Sequence, residues 1–318
     1  SEGNIFVLDS GNHRIQKYDK KGNFLHTIGK KGQGPGEFNA PLKLQLDDET
    51  GNVFVNDRLR TLVIFEEEGN YIDKDIHLGE NLHDFYLDSD KGIWGKFSTS
   101  NYHFIKKVNF KGKVEKFFAE IPFIIARISL IQTTDRATAY KMSYFFNHGY
   151  EYDLFISKVD NHTFLYGHSK EYELIVVDKT GDVLFKIRKS ESPQEITASE
   201  KERITGRIRM GVSRPGITIP ELKLKFPKHK PFFFSLVTDG QGRIYVTRNL
   251  IELGVSRNNE YDVFSKDGLY LYRAYKNYYP YVIKDGCIYT CLSDEETGEE
   301  FVKRFRIKNW DKIKSGIT

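Results

Sequence analysis

Residues 3–38 read GNIFVLDSGNHRIQKYDKKGNFLHTIGKKGQGPGEF. Ile5 and Val7 belong to an extended run that stops at Asp9-Ser10-Gly11-Asn12. Ile15, Lys17 and Tyr18 lie in a second run, turned by Asp19-Lys20-Lys21-Gly22, and Phe24 to Ile28 form a third. Short apolar runs separated by Gly, Asn and Asp clusters read as an antiparallel meander.

The unit recurs. Its marker is an aromatic residue or Val followed four residues later by a turn glycine: Tyr18/Gly22, Phe65/Gly69, Val108/Gly112, Val177/Gly181 and Phe264/Gly268. A sixth copy, Phe305/Asn309, carries Asn, which tolerates the left-handed conformation. Each marker strand, here strand C, is preceded by a strand B: residues 3–9, 51–57, 92–97, 162–168, 242–248 and 286–292. Strands A are expected at 41–46, 82–87, 152–159, 233–238 and 281–284. Strands D are expected at 23–28, 71–78, 114–119, 183–188 and 269–275. Six B–C pairs in a repeating register describe six four-stranded blades, an all-β six-bladed propeller spanning residues 1–318 as one domain. A β-sandwich is the competing reading, but sandwich strands do not repeat in register.

Composition agrees. Aromatic residues make up 14% of the 318 residues, which favours sheet over helix. No apolar run reaches the length of a membrane span. Cys287 and Cys291 sit four residues apart in one expected strand, roughly 13 Å, too far for a disulfide without a bend. The net charge of +4 argues against nucleic acid as the partner.

The segments Gly3-Asn4-Ile5-Phe6-Val7-Leu8-Asp9, Asn12-His13-Arg14-Ile15, Tyr18-Asp19-Lys20-Lys21-Gly22 and Gly32-Gln33-Gly34-Pro35-Gly36-Glu37-Phe38, with Pro41, resemble NHL-repeat propellers. They are closer still to the six-bladed propeller proteins of many bacteria. Similar bacterial proteins are exported or lipid-anchored, so the resemblance implies an extracytoplasmic location. The chain starts at a strand B and ends soon after a strand C. Either residues 313–318 supply a missing strand or residues upstream of Ser1 do; the reading expects an N-terminal extension, with an export signal among the possibilities. The Gly-rich link at 32–36 lacks the Gly-x-x-x-x-Gly-Lys order of a phosphate cradle and leads into a strand.

Marker spacings of 47, 43, 69, 87 and 41 residues expose two insertions, 122–149 and 190–231. The first reads as a hairpin of 124–131 with 138–146. The second carries a helix opened by the capping box Thr197-Ala198-Ser199-Glu200, with Ile204 and Ile208 as its apolar stripe and Gly211 and Pro215 ending it. No regular structure is expected from there to Pro231. Both insertions are D–A connections. In an A-B-C-D blade these emerge on the same face as the B–C loops, of which 248–260 is the longest. That face is the expected binding face. The second insertion holds nine basic residues against five acidic ones, which suits an acidic partner, protein or polysaccharide. The candidate binding residues are Arg203, Arg207, Arg209, Arg214 and Lys223 in the insertion, with Arg248 and Arg257 in the loop.

Chemistry is sparse. The histidines lack metal spacing, and no Gly-x-Ser-x-Gly elbow occurs. Asp9, Asp57 and His168 end equivalent B strands and are the candidate metal set of an alternative reading, a metal-dependent hydrolase, lactonase or lyase acting in the central channel. An NHL-type RNA-binding platform is a further alternative. The first reading is a non-catalytic binding or scaffold module without a cofactor.

Overall fold

The structure, a computed structural model, describes residues 3–72, 75–122, 126–133, 139–146, 150–212, 217–218, 224–248, 259–276, 279–294, 296–308 and 310–313. Blade 1 contains β1 (Ile5–Asp9), β2 (Arg14–Tyr18) and β3 (Phe24–Ile28). Blade 2 contains β4 (Pro41–Leu46), β5 (Val53–Asp57), β6 (Thr61–Phe65) and β7 (Ile76–His77). Blade 3 contains β8 (Asn81–Leu87), β9 (Gly92–Ser98), β10 (Tyr102–Asn109) and β11 (Val114–Pro122). The first insertion adds β12 (Ala126–Thr133) and β13 (Ala139–Phe146). Blade 4 contains β14 (Leu154–Asp160), β15 (Thr163–His168), β16 (Glu173–Asp178) and β17 (Val183–Arg188). The second insertion adds α1 (Ala198–Val212) and β18 (Ile217–Thr218). Blade 5 contains β19 (Phe233–Thr238), β20 (Ile244–Arg248), β21 (Asn259–Phe264) and β22 (Tyr270–Lys276). Blade 6 contains β23 (Val282–Lys284), β24 (Cys287–Ser293) and β25 (Glu300–Arg306).

Every blade is an antiparallel sheet whose strands follow sequence order from A to D. Among the described residues, blade 1 shows strands B to D and blade 6 strands A to C. The A strands of consecutive blades, β4, β8, β14, β19 and β23, lie against one another around the axis. Strand β7 is shorter than the sequence suggests: blade 2 is closed by Ile76–His77 and an isolated Phe65–Tyr71 bridge. Asn309, the marker residue of the sixth copy, lies outside the described residues.

The recurrent marker is a hairpin device. The Gly22 amide donates to the Asp19 carbonyl at 3.0 Å, and the Asp19 amide donates to the Asn23 carbonyl at 2.9 Å. The same pair of bonds recurs at Glu66/Gly69, Asn109/Gly112, Asp178/Gly181 and Ser265/Gly268. The turns at Gly69, Gly112, Gly181 and Gly268 also pack against strand D of the preceding blade. Gly22 and Gly69 both sit at φ +93°, a conformation that strains any β-branched residue. They differ in their surroundings: a Cβ on Gly69 would stand 2.9 Å from Ile28, while nothing lies within 4 Å of one on Gly22. Gly22→Val is therefore expected to cost roughly 1–3 kcal/mol of backbone strain, and Gly69→Val more, since Ile28 must also move. Thermal midpoints in which Gly69→Val is no worse than Gly22→Val would contradict this packing.

The hydrophobic cores lie between blades. Ile28, Val53 and Phe65 join blades 1 and 2; Leu62, Leu82 and Phe97 join blades 2 and 3. Trp94 and Phe164 join blades 3 and 4, and Leu174, Phe233 and Phe264 join blades 4 and 5. Two buried C-strand lysines add polar clasps. Lys17 donates to the Glu67 carbonyl in the next blade's turn at 2.9 Å, and Lys107 to the Lys179 carbonyl in its neighbour's at 3.1 Å. Burying an ammonium is costly unless it is paired. Glu68 stands 3.2 Å from Lys17, and the fully buried Asp88 carboxylate 2.7 Å from Lys107.

A seventh sheet, in the order β13-β12-β18, belongs to the insertions. The expected hairpin forms, with Ile128 opposite Tyr144 and Leu130 opposite Met142. The second insertion departs from expectation in two ways. Helix α1 runs through Gly211 to Val212 instead of stopping at the glycine, and Ile217 and Thr218 pair with Gln132 and Ile131 of the first insertion. Its base is also closed: the Lys230 amide donates to the Gln194 carbonyl at 2.8 Å, beside a Glu195–His229 bridge.

Candidate functional site

Strand direction places the ends of strands B and D, and the starts of A and C, on one face. Both insertions rise from it. Its charged groups form three constellations.

The first lies between blades 4 and 5. The fully buried Asp262 carboxylate accepts from the Tyr172 hydroxyl at 2.8 Å, Lys189 Nζ at 2.8 Å, Arg273 Nε at 3.0 Å and Arg248 NH1 at 3.1 Å. Burial works to raise this carboxyl, but the hydrogen bonds from Lys189, Tyr172, Arg273 and Arg248 outweigh it and hold it at about 2. Glu191 and Glu260 complete the balance by pairing with Arg248 and Arg273. Lys189 and Glu191 open the second insertion, while Arg248 and Glu260 flank the longest B–C loop. One buried network therefore fixes the roots of both. Arg248 belongs to this network, with 11% of its side chain exposed. Arg214, Lys223 and Arg257 lie outside the described residues.

The second constellation is helix α1. Its capping box forms as the sequence indicates: the Thr197 amide donates to the Glu200 carboxylate at 2.9 Å, and the Glu200 amide to Thr197 Oγ1 at 3.2 Å. Ile204 and Ile208 are buried. Glu200 also accepts from Lys230 Nζ at 2.6 Å and from the Tyr150 hydroxyl at 3.1 Å. Burial raises the Glu200 carboxyl, yet the Lys230 and Thr197 contacts prevail and set it at about 2. The helix is thus fastened along one side. The other side exposes Arg203, Arg207, Arg209 and Met210, the last 74% accessible. Among the described residues none of the three arginines has an ion-pair or hydrogen-bond partner, whereas Lys228 and Lys230 are paired to Glu195 and Glu200.

The third constellation is at the mouth of the central channel, on blades 2 to 4. Lys43 of β4 pairs with Asp84 of β8, and Lys96 of β9 with Asp153 ahead of β14. His103 Nδ1 lies 2.7 Å from Asp153 Oδ1, and His83 Nε2 lies 2.7 Å from Ser98 Oγ. His83 is the extra residue of a β-bulge, where pairing steps from Leu82↔Phe97 to Asp84↔Lys96. Bulges re-aim side chains, and His83 is exposed. Desolvation, with Lys96 and His103 nearby, lowers His83 to about 4, so it is neutral at neutral pH. Burial raises the Asp153 carboxyl, but His103 and Lys96 hold it below the usual range.

The family follows from the fold these residues share. A family model, DUF5128, described as a 6-bladed beta-propeller, matches residues 1–166, just over half the chain. The chain belongs to this family. Among solved structures, a member of the duf4221 family from Bacteroides vulgatus superposes with a TM-score of 0.56 at 11% identity, covering 96% of this chain and 93% of that one. A protein from Bacteroides fragilis, assigned as exported, gives 0.53 at 10% identity, covering 92% and 77%. At such identities the likeness is one of fold. A curated relative, Protein brain tumor of Drosophila melanogaster, is 29% identical over 76 residues, which are 23% of this chain and 7% of that protein.

As a DUF5128 propeller the chain shows no gathering of the candidate metal residues. Asp9 accepts from Asn12 and from Arg14 Nε within its own turn. Asp57 caps the incoming link, accepting from the Asn39 and Ala40 amides at 3.0 and 2.7 Å. His168 stands edge-on to Tyr152 at 6.1 Å. Among the described residues, no group of three or more His, Cys, Asp or Glu could hold a metal ion. Cys287 and Cys291 are free thiols, and no described helix is long and apolar enough to cross a membrane.

Proposed function

We propose that this propeller is a non-catalytic binding or scaffold module that takes a protein or polysaccharide partner of acidic character on its B–C/D–A face. One observation carries the reading: α1 is fastened by its apolar side and capping box, yet presents Arg203, Arg207 and Arg209 without partners among the described residues. Guanidinium groups bind carboxylate and similar oxyanions in a planar, bidentate manner, and a rigid mount lowers the entropy lost on binding. Arg248, held in the Asp262 network, supports the root of this surface; Arg214, Lys223 and Arg257 extend the proposed site. The whole chain, 1–318, acts as one propeller domain in this reading.

An extracytoplasmic location fits the resemblance to bacterial exported propellers and the likeness to the Bacteroides fragilis structure. Kinship with NHL-repeat propellers rests on the resemblance of residues 3–41.

The test uses poly-L-glutamate as an acidic probe. The native chain is expected to bind it, and the triple variant Arg203→Ala/Arg207→Ala/Arg209→Ala to lose about 1–3 kcal/mol of binding free energy, as for charge-assisted contacts. Exposed charges are screened over about 10 Å at 0.1 M salt, so binding should weaken as salt rises. Undiminished, salt-independent binding by the folded triple variant would remove α1 from the site. Replacing 190–231 by a short Gly/Ser turn asks the same of the whole insertion, in a chain that also loses the Glu191 partner of Arg248.

A further inference from the structure

The channel mouth has a property that the rim does not share. Its charges are dense but cancel: Lys43 is paired with Asp84, Lys96 with Asp153, and His83 is neutral at neutral pH. The Lys43–Asp84 pair is not sealed, because 28% and 32% of the two side chains remain accessible. Aromatic rings stand around it. Lys43 Nζ lies 4.8 Å from the Tyr86 ring centroid. Tyr279, from the connection into blade 6, is close enough to act electrostatically on both Lys43 and Tyr86. It is packed edge-on against Tyr281 at 5.1 Å, and Tyr281 is 61% exposed. The buried Thr290 hydroxyl donates to the Tyr279 carbonyl at 2.6 Å, which fixes the backbone that carries this ring.

We propose that the channel mouth, built from Lys43, His83, Asp84, Tyr86, Tyr279 and Tyr281, is a binding site for a neutral saccharide. A net-neutral site offers no Coulombic gain to a charged ligand, and desolvating such a ligand there would cost free energy. A sugar hydroxyl is both donor and acceptor, so vicinal hydroxyls can donate to Asp84 while accepting from Lys43 without breaking the charge balance. The apolar face of a pyranose ring suits the tyrosine faces, and the bulged His83 adds a polar group at the entrance. This site is separate from the arginine surface of α1 and does not depend on it.

The experiment is calorimetric titration of the whole chain with neutral hexasaccharides (cellohexaose, maltohexaose, xylohexaose and mannohexaose), with oligogalacturonate and chitosan hexamer as charged counterparts. At least one neutral oligosaccharide is expected to bind, with affinity changing less than about twofold between about 50 and 500 mM salt. Tyr279→Ala and Lys43→Met are each expected to weaken it by about tenfold or more. Tyr281→Ala, at an exposed position, is a second variant whose folding is not in question. The arginine triple variant should bind the sugar as the native chain does. Binding by no neutral member, binding confined to the charged oligosaccharides and lost with salt, or sugar binding unchanged in Tyr281→Ala and Lys43→Met would each overturn the proposal. Loss of sugar binding in the arginine variant alone would assign the sugar to the helix instead.

Discussion

Replacing Asp262 by Ala is expected to destabilise the fold by roughly 3–5 kcal/mol, the cost of breaking a buried ionic network from one side. Three cations, Lys189, Arg248 and Arg273, converge on this fully buried carboxylate, and its removal leaves them facing each other with only Glu191 and Glu260 nearby. The Tyr172 hydroxyl loses its acceptor as well. Asp262→Asn keeps an acceptor without the charge and should fall between native and Ala. The network also predicts an acid response. Asp262 is held at about 2 when folded, against roughly 3.9 unfolded. Its folded value is depressed, so its contribution is fully present above the unfolded value and is lost as pH falls from about 4 through 2. The native protein should lose roughly 2–3 kcal/mol more across that window than Asp262→Ala does. Denaturant titrations at several pH values check both statements. A variant within about 1 kcal/mol of native, with an unchanged acid profile, would show that the network does not hold blades 4 and 5 together.

Trp94→Ala should have a comparable effect, about 3–5 kcal/mol for a large aromatic lost from a core. The indole is fully buried and stacked between Phe118 at 4.6 Å and Phe164 at 4.3 Å, the latter from the next blade. Its Nε1–H donates to Asp88 at 2.9 Å, the carboxylate that also neutralises Lys107. Trp94→Phe keeps the stack but loses that bond, and should cost nearer 1–2 kcal/mol. Equal costs for the two variants would mean that the hydrogen bond, not the stack, dominates this interface.

The blades were readable because their determinants are local. A glycine forced to positive φ four residues after an aromatic or Val announces its own hairpin, and the hairpin fixes the register of strands C and D. Helix α1 was readable for the same reason: the capping box and the Ile204/Ile208 spacing select the buried side and leave Arg203 and Arg207 on the other. The charged constellations were not. Asp262 meets Tyr172, Lys189, Arg248 and Arg273, residues far apart in sequence that only the packing of blade 4 against blade 5 brings together. The Lys43–Asp84 pair crosses two blades in the same way. Lys43, Asp84 and Lys96 are charged residues within the expected strands A and B, a local signal that does not name their partners. The pairing of Ile217 and Thr218 with β12 left no trace, since two residues carry no period. His83 was hidden by its bulge, because an extra residue shifts the alternation on which face assignment relies.

The central claim is that one face of the propeller, the one carrying the B–C and D–A connections, is the working face. Hydrogen–deuterium exchange of the native chain with and without saturating poly-L-glutamate tests it most directly. The account predicts slowed exchange in α1 and in the flanks of the 248–260 loop, with no change in the C–D turns at Gly22, Gly69, Gly112, Gly181 and Gly268. Protection of those turns, with α1 exchanging as in the free protein, would contradict it.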